Sequence, residues 1–140
     1  MNLSEMFHTA VVSAEPQESI RSVVTKMKSN NVGAVVVVQA GKVAGIVTDR
    51  DVTLKVVLGG ASADSPVSEI MTQNVVTIWD DQGVFNATQY LRGRKIRRLP
   101  IIDRNERLVG MLSADDLFAL LSRELLNVAE ALEPALGAKV

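Results

Sequence analysis

Ile20, Val23, Val24 and Met27 recur at spacings of three and four, and Ala34 to Val38 is an unbroken apolar run. The first pattern predicts a helix with one buried stripe; the second predicts a strand buried on both faces. Glu15-Pro16 fits the helix start, with proline in the first turn and acids around it, and Asn30-Asn31 closes it. Val43 to Val47 follows across the Ala40-Gly41 turn, so the two runs read as a hairpin. Thr48 then opens a second helix through about Leu58, which Gly59-Gly60 and the stretch from Ala61 to Pro66 end.

The same order returns further along the chain. A short strand is expected at Val75 to Ile78 and a helix from about Gln82 to Arg92. A hairpin follows from Leu99 to Ile102 and Leu108 to Leu112, and then a helix from Ala114. Gly45, Thr48 and Asp51 match Gly110, Ser113 and Asp116 65 positions later, and the apolar segments upstream match at 64, from Val12-Ser13 with Val76-Thr77 to Val35–Val38 with Leu99–Ile102. The one-residue slip falls in the turn from Asp103 to Arg107, where insertions are tolerated. The chain is therefore an internal duplication. Repeat 1 is expected over 1–60, a linker over 61–68, repeat 2 over 69–122, and a helix extension with tail over 123–140.

The last helix reads as longer than its counterpart. Leu117, Leu120, Leu121, Leu125, Val128 and Leu132 hold one apolar stripe up to Glu133-Pro134, which is expected to stop it. At 1.5 Å per residue its roughly 18 residues would extend about 27 Å, longer than a small two-layer unit needs. Part of the stripe is expected to meet another chain.

Composition narrows the function classes. At 47% hydrophobic residues the 140-residue chain can bury a substantial core, and two halves of some 60 residues are expected to pack as one unit. A net charge of −1 gives no electrostatic case for nucleic acid or an anionic membrane as main partner. No cysteine is present, and His8, expected to be an exposed polar residue, is the sole histidine, which disfavours thiolate chemistry, histidine metal clusters and a Ser-His-Asp triad. No apolar run approaches the roughly 20 residues of a membrane span, and the first residues lack a secretory pattern, so a cytoplasmic protein is expected.

A tandem β-α-β-β-α unit carrying Gly45-Ile46-Val47-Thr48-Asp49-Arg50-Asp51 and Gly110-Met111-Leu112-Ser113-Ala114-Asp115-Asp116 resembles the cystathionine-β-synthase (CBS) domain family. Ile70-Met71-Thr72 before Val75-Val76-Thr77, and Arg98-Leu99-Pro100-Ile101-Ile102-Asp103, add to the likeness, which covers about residues 5 to 122. The resemblance implies an α+β fold of two repeats packed as a pseudo-twofold module with two clefts, and a flat homodimer of such modules. It also implies regulation rather than catalysis: adenosine ligands (AMP, ADP, ATP or S-adenosylmethionine) would be bound and their occupancy signalled to an unknown effector protein.

The motif residues have two physical uses. Thr48 with Asp51, and Ser113 with Asp116, have the spacing of a capping box, which needs no ligand. The same helix starts could receive a phosphate, with the hydroxyl adding a hydrogen bond and the aspartate accepting from ribose hydroxyls, the role that aspartate has in the family. Gly45 and Gly110 permit close approach of ligand or of backbone alike. Val12, Val35 and Ile46, with Val76, Leu99 and Met111, could sandwich an adenine or simply form core.

Arg92, Arg94, Lys95, Arg97 and Arg98 form a cationic run that is either a solvated helix end or a phosphate contact. The resemblance favours Arg97 and Arg98 as phosphate contacts, facing Thr48 and Asp51, whereas Gly33 and Ala34 at the matching positions of repeat 1 are uncharged. The cleft of Thr48, Asp51, Arg97 and Arg98 is thus expected to be the stronger one, with Arg50 a further candidate. These cations lean the ligand towards AMP or a longer phosphate chain over S-adenosylmethionine. The alternative function is a ligand-free scaffold assembling through its C-terminal helix.

Overall fold

The computed structural model describes Leu3, Phe7, residues 10–94 and residues 96–137, with only the backbone of 134–137; His8 and Lys95 lie outside the described residues. In repeat 1, strand β1 (Ser13–Ala14) leads to helix α1 (Ile20–Asn30), then to β2 (Ala34–Gln39) and β3 (Lys42–Thr48). A helical segment follows as α2 (Asp49–Val52), widening to π-helical turns over Thr53–Leu58. Repeat 2 has β4 (Ile78–Trp79), α3 (Val84–Arg94), β5 (Arg98–Ile102), β6 (Leu108–Ser113) and α4 (Ala114–Gly137). The fold is α+β.

Each repeat has one three-stranded sheet, ordered β1-β2-β3 and β4-β5-β6, with a parallel pair and then an antiparallel pair. The registers duplicate as well. Ala14 faces Val37 as Ile78 faces Ile101, and Ala34 faces Thr48 as Arg98 faces Ser113. Both antiparallel pairs shift register one residue beyond the glycine-facing position, between Val37 and Val38 and between Ile101 and Ile102. The insertion in the Asp103–Arg107 turn therefore leaves the strands in register.

Several element ends differ from the sequence expectation. Helix α1 starts at Ile20 rather than at Glu15-Pro16, because Ser19 is its N-cap and its hydroxyl accepts from the Ser22 amide at 3.1 Å. Its end at Asn31 is as expected, with that residue in the left-handed region at φ 52°. Val24, assigned to the buried stripe, is 38% exposed, whereas Ile20, Val23 and Met27 are buried. Val75 to Thr77 precede β4 instead of forming it. Helix α4 runs past Pro134 to Gly137, since a proline removes one amide donor and a chain already in helical conformation can continue for a turn beyond it.

The two hydrophobic cores do not divide as the sequence does. Val67 and Ile70 complete the core of repeat 1, with Ile20, Val23, Val35, Val37 and Val47. Leu3, 64 positions before Val67, is fully buried in the core of repeat 2, with Ile78, Leu99, Ile101, Leu112 and Leu117. Its amide donates to the Gln82 carbonyl at 2.9 Å, and the Val67 amide donates to the Glu18 carbonyl at 2.7 Å. The segment leading into each repeat thus packs on the other one.

Candidate ligand-binding cleft

The two capping boxes form as their spacing requires. The Thr48 amide donates to Asp51 Oδ2 at 2.9 Å and its hydroxyl accepts from the Asp51 amide at 3.2 Å. In repeat 2 the Ser113 amide donates to Asp116 Oδ2 at 3.3 Å, and the Ser113 hydroxyl accepts from the Asp116 amide at 3.0 Å. The remaining carboxylate oxygen of each aspartate has no part in the cap and is able to accept from a ligand.

Only one of these starts opens on a described cavity of nucleotide size. A space of about 450 Å³ lies between Ala10, Val11, Val12, Asn31, Val32, Gly33 and Ala34 of repeat 1 and Arg98, Met111, Ser113, Asp115 and Asp116 of repeat 2. Small-ligand sites commonly occupy about 300–1,000 Å³. A crevice of about 160 Å³ extends along Arg97, Arg98, Ser113, Ala114 and Asp115. Another space, of about 600 Å³, lies nearer the hairpin tips, against Val38, Gly41 and Arg107, and contains no motif residue.

Val12, Arg98, Ser113 and Asp116, four of the expected site residues, meet in the cleft. Arg98 is the strand partner of Ser113, and it lines the cavity that holds Ser113 and Asp116. Arg97 is exposed and reaches only the crevice. Among the described members of the cationic run, Arg98 lines the main cavity.

Thr48 and Asp51 are half-buried at the start of α2, and Arg50 is exposed beside them. Ile46 pairs with Val36 within the sheet and bridges Thr72, whose carbonyl accepts from its amide at 3.0 Å. Val35 and Leu99, offered as adenine contacts, are fully buried core residues, whereas the half-buried Val12 and Met111 face the cavity from different repeats.

Gly45 and Gly110 serve backbone crossings. A Cβ at Gly45 would meet Met71 Sδ at 2.5 Å and the Thr72 carbonyl oxygen at 2.9 Å; at Gly110 it would meet the Phe7 carbonyl oxygen at 2.5 Å. Those contacts come from the exchanged segments that lead into the opposite repeat. Neither glycine lines the cleft.

Asn31, Val32, Gly33, Ala34 and Asp115 are lining residues that the motif reading passes over. Their signal was the duplication itself, since Gly33-Ala34 matches Arg97-Arg98 and Asp115 matches Arg50. Trp79 lies in β4, half-buried, with the Arg104 guanidinium 4.8 Å from its ring centroid. The hydrogen bond from that guanidinium holds the Asp81 carboxyl below its usual range.

The sequence profile of the CBS domain matches residues 3–57 and 67–123. The chain belongs to the CBS domain family. This CBS pair is 35% identical over 116 residues to the CBS domain-containing protein YhcV of Bacillus subtilis, covering 83% of this chain and 82% of that one. A CBS domain protein of Pyrobaculum aerophilum, solved in complex with AMP, superposes with a TM-score of 0.75 at 28% identity, over 83% of this chain and 89% of its own. CBS pairs also occur inside enzymes: inosine-5'-monophosphate dehydrogenase of Thermoplasma acidophilum is 33% identical over 107 residues, 76% of this chain but 21% of that enzyme. Among the described residues no helix is long and apolar enough to cross a membrane, and no group of acidic or imidazole side chains is placed to hold a metal.

Proposed function

We propose that this CBS pair is a regulatory module that binds an adenosine nucleotide, AMP, ADP or ATP, between its repeats and signals occupancy to a partner protein. The observation that carries the reading is the 450 Å³ cleft with walls from both repeats. Val11, Val12, Val32 and Met111 give it an apolar side suited to a flat base. Asp116 offers a carboxylate oxygen to ribose hydroxyls, and Ser113 and Arg98 offer donors to phosphate. The AMP complex of the Pyrobaculum aerophilum relative supports the ligand class.

A ligand shifts a conformational equilibrium only by what it gains in one state over another. One that touches Val12 and Asp116 at once favours the placement of the repeats that keeps both contacts. Such a change would reach other proteins through the surfaces the repeats present. The reading is regulatory rather than catalytic, and turnover of bound ATP above the buffer rate would overturn that part.

Calorimetry with AMP, ADP, ATP, S-adenosylmethionine and GTP tests the proposal. Saturable binding of adenosine compounds but not GTP, weakened in Asp116→Ala, is the expected result. Failure of every adenosine compound to bind would sink it.

Assembly rests on a separate observation. Phe118, Leu121, Leu125, Val128 and Leu132 are exposed along α4 at alternating spacings of three and four, the seam of two packed helices. With 24 residues at 1.5 Å each, α4 extends about 36 Å. A second copy of the chain suits this seam, giving a homodimer. The same seam supports the second reading, a scaffold that needs no ligand, which the calorimetry would then favour by returning no binding.

A further inference from the structure

The main cavity and the crevice share three lining residues, Arg98, Ser113 and Asp115, so the two spaces border one another beside the start of α4. We propose that Asp115 is a specificity residue that restricts this cleft to adenosine compounds with no more than one phosphate. The proposal rests on the adenosine reading above and narrows it.

The charges at that junction are the first support. The main cavity carries one cation, Arg98, against two carboxylates, Asp115 and Asp116, and the crevice adds Arg97 but again includes Asp115. One phosphate can sit against Arg98. Each further phosphate must extend along the crevice, past the Asp115 carboxylate, and like charges at close range are strongly unfavourable.

The donors available there are the second support. The Ala114 amide donates to the Arg97 carbonyl at 2.7 Å, and the Asp116 amide to the Ser113 hydroxyl at 3.0 Å. Two of the first three amides of α4 are thus committed within the protein. The third belongs to Asp115 itself. A phosphate chain would find few backbone donors to offset the carboxylate.

The duplication supplies a comparison within one chain. Repeat 1 keeps the hydroxyl and the capping aspartate as Thr48 and Asp51, but carries Arg50 where repeat 2 carries Asp115. The cap does not use this position in either copy, since its bonds run between Thr48 and Asp51 and between Ser113 and Asp116. Asp115 is also exposed, so no core requires it. The fold tolerates either sign here, and the copy bordering the cleft has the one that repels phosphate.

The test is calorimetry on the full chain with adenosine, AMP, ADP and ATP, without magnesium, for the wild type, Asp115→Asn and Asp115→Arg. In the wild type AMP is expected to bind about tenfold or more tightly than ATP. Asp115→Asn should narrow that ratio, Asp115→Arg should narrow it further or invert it, and added salt should shrink it in the wild type because the site is exposed. An AMP-to-ATP ratio identical in all three proteins would overturn the role of Asp115 while leaving the adenosine reading intact. A wild type that binds none of the four would overturn the adenosine reading itself.

Discussion

Gly110 lies directly beneath the Phe7 carbonyl oxygen, which a Cβ on Gly110 would meet at 2.5 Å. The obstacle is backbone, so it cannot swing aside as a side chain would. Gly110→Ala should force the segment leading from Leu3 off repeat 2 and destabilise the protein by about 1–3 kcal/mol, read from urea unfolding. Gly45→Ala should cost less, because the atoms it meets first belong to the flexible Met71 side chain, although the Thr72 carbonyl at 2.9 Å limits the relief. Gly93→Ala is the control. It lies in α3 with open space around it and should stabilise by about 0.5–1 kcal/mol. Equal effects at the three sites would refute the crossing argument.

Leu3 sits near the chain start, yet it is fully buried among Ile78, Leu99 and Leu117. Leu3→Ala should therefore cost about 2–5 kcal/mol, the range for a leucine in a packed core. Chemical denaturation with a single probe in each repeat would show whether repeat 2 loses stability first. A near-neutral substitution would mean that the segment is not docked as described.

Much of this fold is legible in the sequence because apolar runs and three-four spacings fix strands and helices locally. The hairpins Ala34–Thr48 and Arg98–Ser113 and the helix closed by Asn31 follow from such patterns. Leu3 does not, since one apolar residue without periodic neighbours says nothing about which core it enters. The placement of Arg98 has a related cause. Adjacent residues entering a strand point to opposite faces, so only Arg98 joins Ser113 and Asp116 at the cavity. The same alternation separates Met111, which faces the cleft, from its neighbour Leu112, which pairs with the buried Leu99. A motif read as a unit loses this distinction.

Glu18 fastens the start of α1. Burial alone would raise its pKa, but hydrogen bonds from Lys26, from the Glu15 amide at 2.8 Å and from the Ser22 hydroxyl at 3.1 Å outweigh that and hold it below the ordinary value near 4.5. A lowered folded value means that its contribution is complete above the unfolded value and is lost as pH falls through the folded one. The partly exposed pair with Lys26, at 2.9 Å, is worth no more than about 1 kcal/mol. Glu18→Gln should therefore lower stability at pH 7 by about that amount and converge with the wild type in strong acid. Parallel curves from pH 7 down to pH 3 would exclude this linkage.

Asp51 and Asp116 do the same work in their helix caps, and only Asp116 lines the described cleft. Asp51→Ala and Asp116→Ala should each cost about 1 kcal/mol of stability through loss of the cap. Their effects on AMP should separate. Asp116→Ala removes a charged acceptor for the ribose, a loss of about 1.5–3 kcal/mol that weakens binding by roughly 10–150-fold. Asp51→Ala should leave the AMP affinity within about threefold, as expected for a site with no shared partner. If Asp51→Ala proved the more damaging, the nucleotide would sit at the first repeat's helix start and the choice of cleft would be wrong.

The exposed seam of α4 makes the last prediction. Phe118 is 76% exposed and Leu125 71%, values too high for large apolar side chains that are meant to face water in such a regular series. Two copies packed along Leu121, Leu125, Val128 and Leu132 would cover them, and a charge in the middle of that seam would be buried without a partner. Leu125→Glu should thus shift the protein from dimer to monomer in sedimentation at micromolar concentration. Because no residue of the seam lines the described cleft, AMP binding should survive in the monomer if sensing and assembly reside on separate surfaces. A wild type that sediments as a monomer would remove the second copy as occupant of this face. A dimer unchanged by Leu125→Glu would place the dimer contact elsewhere.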